Sequence, residues 1–238
     1  MAGSLSPLWR LDRRPLAYRE GASLQRELVR RRQRGEIPDL LLLTEHPPVF
    51  TLGRMARSEH LLESAEGLRA AGAEVCPTER GGDVTFHGPG QLVLYPIFDL
   101  AGWRKDLHAY LRALEGVVIA AAASLGVRAG RRPELTGVWC GERKLASIGV
   151  RVSRWVASHG VALNVNTDLR WFSRIVPCGI AGCEVTSLVR ELGRDVPLDG
   201  VADRVAEAFA RRFGRRLTLA PPDLVGEEAW PPRSRDAA

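Results

Sequence analysis

Residues 135–165, LTGVWCGERKLASIGVRVSRWVASHGVALNV, decide the fold class. Three segments of this stretch, 137–140, 145–152 and 155–165, alternate between apolar and polar residues or run apolar, which is typical of strands. A turn near Ser153 and Arg154 would join the second strand to the third as a hairpin. The stretch therefore predicts a block of antiparallel sheet.

Helices and further strands are expected on both sides of this block. Apolar residues at helical spacing, with abundant alanine, predict a helix over 107–125 that ends at Gly126, and a second helix over 201–213. Pro96 should lie at a strand terminus or on a sheet edge, because proline cannot donate to a strand ladder. The remaining predicted elements are helices at 15–34 and 61–71 and strands at 40–43, 49–52, 73–76, 83–86, 92–97 and 216–219.

The mixed order of these elements indicates one α/β (α+β) domain over residues 1–238. Its sheet is expected to be mixed, largely antiparallel and flanked by helices. The proline-rich end of the chain, from about residue 220 to 238, is expected to be loosely ordered.

The composition excludes several classes of protein. The four cysteines form no CxxC and no Cys–His spacing typical of zinc, so we expect free thiols and no metal. The longest uncharged apolar stretch, 116–127, is too short to span a bilayer, and the N-terminal residues lack the apolar core of a signal peptide. These features indicate a cytoplasmic protein without a membrane partner. The net charge of +6 favours acidic partners without identifying them.

The loop RGGDVTFHGPGQ at 80–91 holds four glycines and raises the question of a phosphate site. It lacks the GxxxxGK[ST] pattern of a Walker loop, Val93 stands where a dinucleotide fingerprint needs its last glycine, and a strand follows instead of a helix. Two explanations stay open: a tight turn between strands, or bare backbone that lets an uncharged chain approach closely. His87 is by itself more typical of structural support than of catalysis.

A thiol and an amine are the candidates for chemistry. Cys178 lies between Pro177 and Gly179, in a context that presents a side chain on a turn. A nucleophilic cysteine must be a thiolate, and a nearby cation favours that form. Only two of the 34 basic residues are lysines, Lys105 and Lys144, and lysine can release a proton where arginine cannot. The alternatives are a packed cysteine and a solvated charge at a strand end.

Several segments together resemble the octanoyltransferases of lipoate biosynthesis, the lipoyl(octanoyl) transferase family. They are TEHPPVFTLGR at 44–54, RGGDVTFHGPGQLVLYPIFDL at 80–100, LTGVWCGERKLASIGVRVSRWVASHGVALNVNTDL at 135–169, FSRIVPCGI at 172–180 and VTSLVRELGR at 185–194. The resemblance covers about residues 15 to 215. It implies the fold of the biotin protein ligase and lipoate ligase catalytic module, and a catalytic pair formed by Cys178, the nucleophile, and Lys144, which lowers the thiol pKa and acts as acid and base.

The resemblance also implies where the acyl chain binds. Three segments carry over as its binding residues: Arg80, Gly81, Gly82, Asp83, Val84, Thr85, Phe86 and His87; Ser147, Ile148 and Gly149; Gly160, Val161 and Ala162. Backbone N–H groups near Gly179 or in the 80–91 loop are the candidates for stabilising an oxyanion.

The family's reaction is the first step of endogenous protein lipoylation. Its donor is an octanoyl group on the phosphopantetheine of acyl carrier protein, and its acceptor is a lysine of a lipoyl domain, in an E2 subunit of a 2-oxoacid dehydrogenase or in the glycine-cleavage H protein. The reaction needs no ATP and no metal, and we expect a monomer that does not bind nucleic acid. The rival hypotheses are an ATP-dependent lipoate ligase of the same fold, a basic nucleic-acid-binding module and a thioesterase.

Overall fold

A mixed eight-stranded sheet dominates the computed structural model, which describes residues 5–180 and 182–225. The strands are β1 (Ser6–Arg13), β2 (Asp39–Thr44), β3 (Val49–Leu52), β4 (Glu74–Pro77), β5 (Val84–His87), β6 (Gln91–Asp99), β7 (Gly130–Arg132), β8 (Leu135–Cys140), β9 (Arg143–Ser153), β10 (Val156–Asn164) and β11 (Arg215–Leu219). The helices are α1 (Tyr18–Gln33), α2 (Ala65–Ala70), α3 (Leu107–Ala123), α4 (Leu188–Leu192) and α5 (Leu198–Phe213). Short 3₁₀ turns cover Ser58–His60, Leu169–Arg174, Pro177–Gly179 and Pro222–Val225.

The large sheet runs in the order β11-β1-β2-β6-β10-β9-β8-β7 and is antiparallel from β2 to β7. The pairs β1–β2 and β1–β11 are parallel. A second sheet, β4-β3-β5, carries the 80–91 loop. The predicted fold class and the hairpin are therefore confirmed; Arg154 and Trp155 make the hairpin turn with φ values of 46° and 63°.

Strand β2 is buried along its whole length because both faces of the sheet are covered. Leu41 and Leu43 pack in the cluster that contains α3 and α5, whereas Leu40 and Leu42 pack in the cluster that contains Leu28 of α1. Burial on both faces explains why this strand reads as a continuous apolar run. No helix among the described residues is long and apolar enough to cross a membrane.

The placement of Pro96 at a strand end or sheet edge is wrong. Pro96 lies in the middle of β6, between β2 and β10. The ladder to β10 is interrupted opposite it: pairing stops at Ala157 and resumes at Val161. His159 there adopts a φ of 54°, and its N–H donates to the side chain of Gln25 at 2.7 Å. A side chain of α1 thus accepts the His159 N–H at the point where the ladder is interrupted.

The helix predicted over 61–71 is shorter in the structure. It covers only Ala65–Ala70, and the Ser64 side chain caps it by accepting from the Gly67 N–H. Leu61 forms a β-bridge with Ile175 instead. Three elements were not predicted: β1, β7 and α4. At the other end, Leu224 packs against α1, and the rest of the predicted loose tail, residues 226–238, lies outside the described residues.

Candidate active site

A cavity of about 370 Å³ lies between the 80–91 loop, β6, β9 and β10. Most of the predicted acyl-binding residues line it: Arg80, Gly81, Gly82, Asp83, Thr85, His87, Ser147, Ile148, Gly149, Gly160, Val161 and Ala162. Val84 and Phe86 do not, since alternation along β5 turns their side chains into a separate core cluster. Any contribution of these two residues would be through the backbone. Lys144 and Cys178 also line the cavity.

Lys144 is the second residue of β9, and the contacts around it fix its position. Its side chain is 3% exposed, and its Nζ lies 5.3 Å from the centre of the Trp139 ring. Its N–H donates to Glu184 O at 2.8 Å. A Cβ on Gly137, where φ is 135°, would stand 2.8 Å from Lys144 Cε. Only glycine leaves room for the lysine chain at that position.

Cys178 sits on a tight turn and faces Lys144. Its φ of 57° lies in the left-handed region, which a non-glycine residue adopts at a cost of about 1–3 kcal/mol. The Lys144 Nζ to Cys178 Sγ distance is 2.9 Å, and Ser147 Oγ is 3.9 Å from the sulfur. Sequence alone could not show this contact between residues 34 positions apart. An ammonium at this distance stabilises a thiolate.

Among the described residues, none of the other three cysteines makes a hydrogen bond to a cationic side chain. Burial raises the pKa of Cys76 and that of Cys140 to about 11 each, and it also raises the pKa of Cys183. These thiols therefore stay protonated at neutral pH.

We expect iodoacetamide at neutral pH to alkylate Cys178 at least about tenfold faster than Cys76, Cys140 or Cys183, because alkylation requires the thiolate. Peptide mapping by mass spectrometry over time measures the four rates. In denaturant the four thiols should react alike. Faster labelling of Cys140 or Cys183 in the folded protein would contradict the assignment of the reactive thiol.

A buried hydrogen-bond chain begins at Arg80 on the cavity wall. Its guanidinium donates to Thr51 O at 2.7 Å and to Thr51 Oγ1 at 2.9 Å. The Thr51 hydroxyl lies 3.3 Å from His87 Nε2, and His87 Nδ1 lies 2.7 Å from Gln91 Oε1. Because an amide oxygen only accepts, it places the His87 proton on Nδ1. Burial keeps the pKa of His87 well below its ordinary value, so this histidine is neutral and supports the wall.

The same chain continues to the backbone of Lys144. Gln91 Nε2 donates to Asn164 Oδ1 at 2.9 Å, and Asn164 Nδ2 donates to Thr186 O at 3.0 Å. The Thr186 N–H donates to Lys144 O at 2.9 Å. Since a satisfied buried network holds its members in one arrangement, it ties the cavity wall to the lysine.

The glycines of the 80–91 loop have two different roles. A Cβ on Gly88 would stand 2.4 Å from Phe86 Cζ, and one on Gly90 would stand 2.6 Å from the Asn166 backbone. These two glycines make room for the protein itself and belong to the turn. Gly81 and Gly82, in contrast, line the cavity with bare backbone.

Two of the candidate oxyanion donors are already engaged. The Gly179 N–H donates to Val176 O at 3.1 Å, and the Gly81 N–H donates to Val150 O at 2.9 Å. Neither amide is free to stabilise an oxyanion in this arrangement.

Sequence reasoning missed His60, which hydrogen-bonds to Asp83 through Nδ1. A single histidine in the sequence SEHLL gives no signal, because only the tertiary fold brings it to Asp83 and to the turn that carries Cys178. Tyr18, Tyr95 and His159 line the cavity and were not predicted. Burial lowers the pKa of His159 to about 4 and raises that of Tyr95, so both are uncharged at neutral pH and suit an apolar ligand.

The comparisons with known proteins agree on one family. Residues 17–210 match the model of the lipoyl protein ligase A/B catalytic domain. An octanoyltransferase from Rubrobacter xylanophilus is 60% identical over 77% of this chain and 83% of its own. A mitochondrial octanoyl-[acyl-carrier-protein]:protein N-octanoyltransferase from Danio rerio is 44% identical over 77% of this chain and 82% of its own.

A solved structure shows the same fold. A putative lipoate protein ligase from T. acidophilum with bound lipoic acid superposes with a TM-score of 0.74 at 17% identity, covering 91% of this chain and 89% of its own. The predicted likeness to the lipoate ligase module is thereby confirmed.

Proposed function

The chain belongs to the octanoyltransferases of the lipoyl protein ligase A/B catalytic-domain family, and we propose that it transfers an octanoyl group from acyl carrier protein to a lipoyl-domain lysine through a thioester on Cys178. The acceptor domains are those of 2-oxoacid dehydrogenase E2 subunits and the glycine-cleavage H protein. One observation carries the proposal: Lys144 Nζ lies 2.9 Å from Cys178 Sγ beside a cavity lined mainly by uncharged groups.

The cavity suits an octanoyl chain rather than a charged ligand. Its volume of about 370 Å³ is at the lower end of the range of about 300–1,000 Å³ for small-molecule sites. Ile148, Val161 and Ala162 supply apolar wall, and Gly149 and Gly160 supply bare backbone. The charged groups that line it include Lys144, Arg80 and Asp83, of which Lys144 is in contact with the nucleophile.

In the first half-reaction, the Cys178 thiolate attacks the octanoyl carbonyl carbon and forms the new C–S bond. The tetrahedral oxyanion collapses, and the bond to the pantetheine sulfur breaks. Lys144 gives its proton to the departing thiolate, which leaves octanoyl-Cys178 beside a neutral amine. Exchange of one thioester for another is nearly balanced in free energy.

In the second half-reaction, the acceptor lysine attacks octanoyl-Cys178 as a free amine. Collapse of the tetrahedral intermediate expels the Cys178 thiolate, and Lys144 takes the proton that the nitrogen loses as the amide forms. The enzyme returns to its ammonium–thiolate state. Because thioester-to-amide transfer is downhill, no nucleotide enters the proposed reaction.

We expect octanoyl transfer to a lipoyl domain without added nucleotide, since the thioester donor already supplies the free energy of amide formation. The test mixes enzyme, octanoyl-acyl carrier protein and apo lipoyl domain in nucleotide-free buffer, and follows the mass of the domain. Dependence on ATP would favour a ligase of the same fold. Release of free octanoate in place of modified domain would favour a thioesterase.

A further inference from the structure

Two protons must leave the acceptor lysine in the second half-reaction of the proposed function, on which this inference rests. An ordinary lysine has a pKa of about 10.4 and arrives as an ammonium at neutral pH. It loses one proton to become a nucleophile and a second when the new C–N bond becomes an amide. Lys144, left neutral by the first half-reaction, has room for one proton only. The pair formed by Cys178 and Lys144 therefore lacks a second proton acceptor.

A histidine–aspartate pair lies against the turn that carries the nucleophile. Asp83 Oδ1 accepts from the Val84 N–H at 2.6 Å and from the Arg57 N–H at 3.4 Å, while Oδ2 hydrogen-bonds to His60 Nδ1. A carboxylate on Nδ1 holds the neutral ring with its proton there and leaves Nε2 as the basic atom. Among the described residues, no hydrogen-bond partner occupies His60 Nε2.

The side chains of His60 and Asp83 lie beside Gly179, the residue that follows Cys178. An ideal Cβ on Gly179 would stand 2.8 Å from Asp83 Oδ2 and 3.0 Å from His60 Cε1. Both side chains are mostly buried but reach solvent, with 11% exposure for Asp83 and 17% for His60. Asp83 lines the acyl cavity, and His60 is not among the residues that line it.

Backbone contacts fix this arrangement. The Val176 N–H donates to His60 O at 2.8 Å, and Leu61 pairs with Ile175, so backbone hydrogen bonding joins the His60 segment to the segment leading to Cys178. On the other side, the Gly53 N–H bonds to Asp83 O at 3.4 Å. The pair is thus built into the same frame as the nucleophile.

The other histidines are poorly suited to accept a proton here. Both ring nitrogens of His46 are engaged, with Leu16 O at 2.6 Å and the Tyr95 hydroxyl at 2.8 Å. His87 is likewise held at both nitrogens. Burial lowers the pKa of His159 to about 4, which makes it a weak base at neutral pH. His108 is exposed on α3 and is not among the residues that line the cavity.

We propose that His60, oriented by Asp83, accepts the first proton of the acceptor lysine. The ammonium N–H bond breaks, its proton passes to His60 Nε2, and the electron pair stays on nitrogen. The free amine then attacks octanoyl-Cys178, the C–N bond forms, and the second proton passes to Lys144 as the bond to Cys178 Sγ breaks. His60 afterwards releases its proton to solvent.

The test isolates octanoyl-Cys178 enzyme and measures a single turnover with two nucleophiles. One is the apo lipoyl domain, whose lysine must lose the first proton; the other is hydroxylamine, which is already unprotonated at neutral pH. We expect His60→Gln to slow transfer to the lipoyl domain about a hundredfold, the lower end of what a positioned proton acceptor contributes. Its reaction with hydroxylamine should match that of the unsubstituted enzyme.

His108→Gln is the matched control and should transfer to both nucleophiles at the unsubstituted rate. Equal lipoyl-domain rates for the His60 and His108 variants would overturn the inference. Equal slowing with both nucleophiles would also overturn it, because a displaced nucleophile turn hinders every attack. If the unsubstituted enzyme forms no octanoyl adduct, the proposed function fails and the inference with it, whereas adduct formation with unchanged rates removes only the role of His60.

Discussion

Cys178→Ala will form no octanoyl adduct and will transfer the octanoyl group at least about a thousandfold more slowly than the unsubstituted enzyme. The alanine removes the sulfur that lies 2.9 Å from Lys144 Nζ, and with it the atom that holds the acyl group between the two half-reactions. Intact-protein mass spectrometry after mixing with octanoyl-acyl carrier protein measures the adduct. The unsubstituted enzyme should gain the mass of one octanoyl group.

Cys183→Ala is the matched control, since this thiol lies five residues from Cys178 and is likewise partly exposed. We expect it to form the adduct at close to the unsubstituted rate. An adduct that persists in Cys178→Ala would assign the nucleophile to another residue. Loss of the adduct in Cys183→Ala would show that the two thiols act together.

Local patterns predicted the elements whose apolar spacing is set by one packing surface. The helices α3 and α5 and the hairpin between β9 and β10 are of this kind, and the structure places them at nearly the predicted bounds. Strand β1 escaped prediction because its arginines and partial burial resemble a surface segment, and its pairing with β2 and β11 is long-range. Pro96 was misplaced because Gln25, the side chain that accepts from the His159 N–H opposite it, lies on a helix far away in sequence.

The candidate site likewise contains features that the sequence predicts and features that only the tertiary structure shows. The rarity of lysine and the turn around Cys178 drew attention to two residues, but their contact depends on the bridge between Lys144 and Val185 and on the space beside Gly137. The resemblance identified the cavity wall; the structure adds that alternation along β5 sends Thr85 into the cavity and Phe86 away from it. His60 acquires its partner only through tertiary contacts, so no local pattern contains it.

The choice of lysine at position 144 is informative in a chain with so little lysine. The chain contains 34 basic residues, and all except Lys105 and Lys144 are arginines. Arginine provides a cation that stays charged at ordinary pH. If Cys178 needed only a positive neighbour, arginine would serve, whereas the two proton transfers proposed for Lys144 require an amine that gives up its proton and takes it back.

Lys144→Arg should therefore separate charge from proton transfer. We expect octanoyl transfer to fall about a hundredfold or more, within the range of about 10²–10⁴ for a positioned acid or base, while iodoacetamide alkylation of Cys178 falls less than tenfold because the guanidinium still favours the thiolate. Lys105→Arg is the matched control: Lys105 lies 5.8 Å from the Trp155 ring, outside the cavity, and this exchange should leave both rates unchanged. Unsubstituted turnover by Lys144→Arg would refute the acid–base role and reduce Lys144 to an electrostatic partner. An equal fall in the alkylation rate and the transfer rate would instead show that Lys144 acts only by stabilising the thiolate. If Lys144 also transferred protons, its replacement would lower the transfer rate more than the alkylation rate.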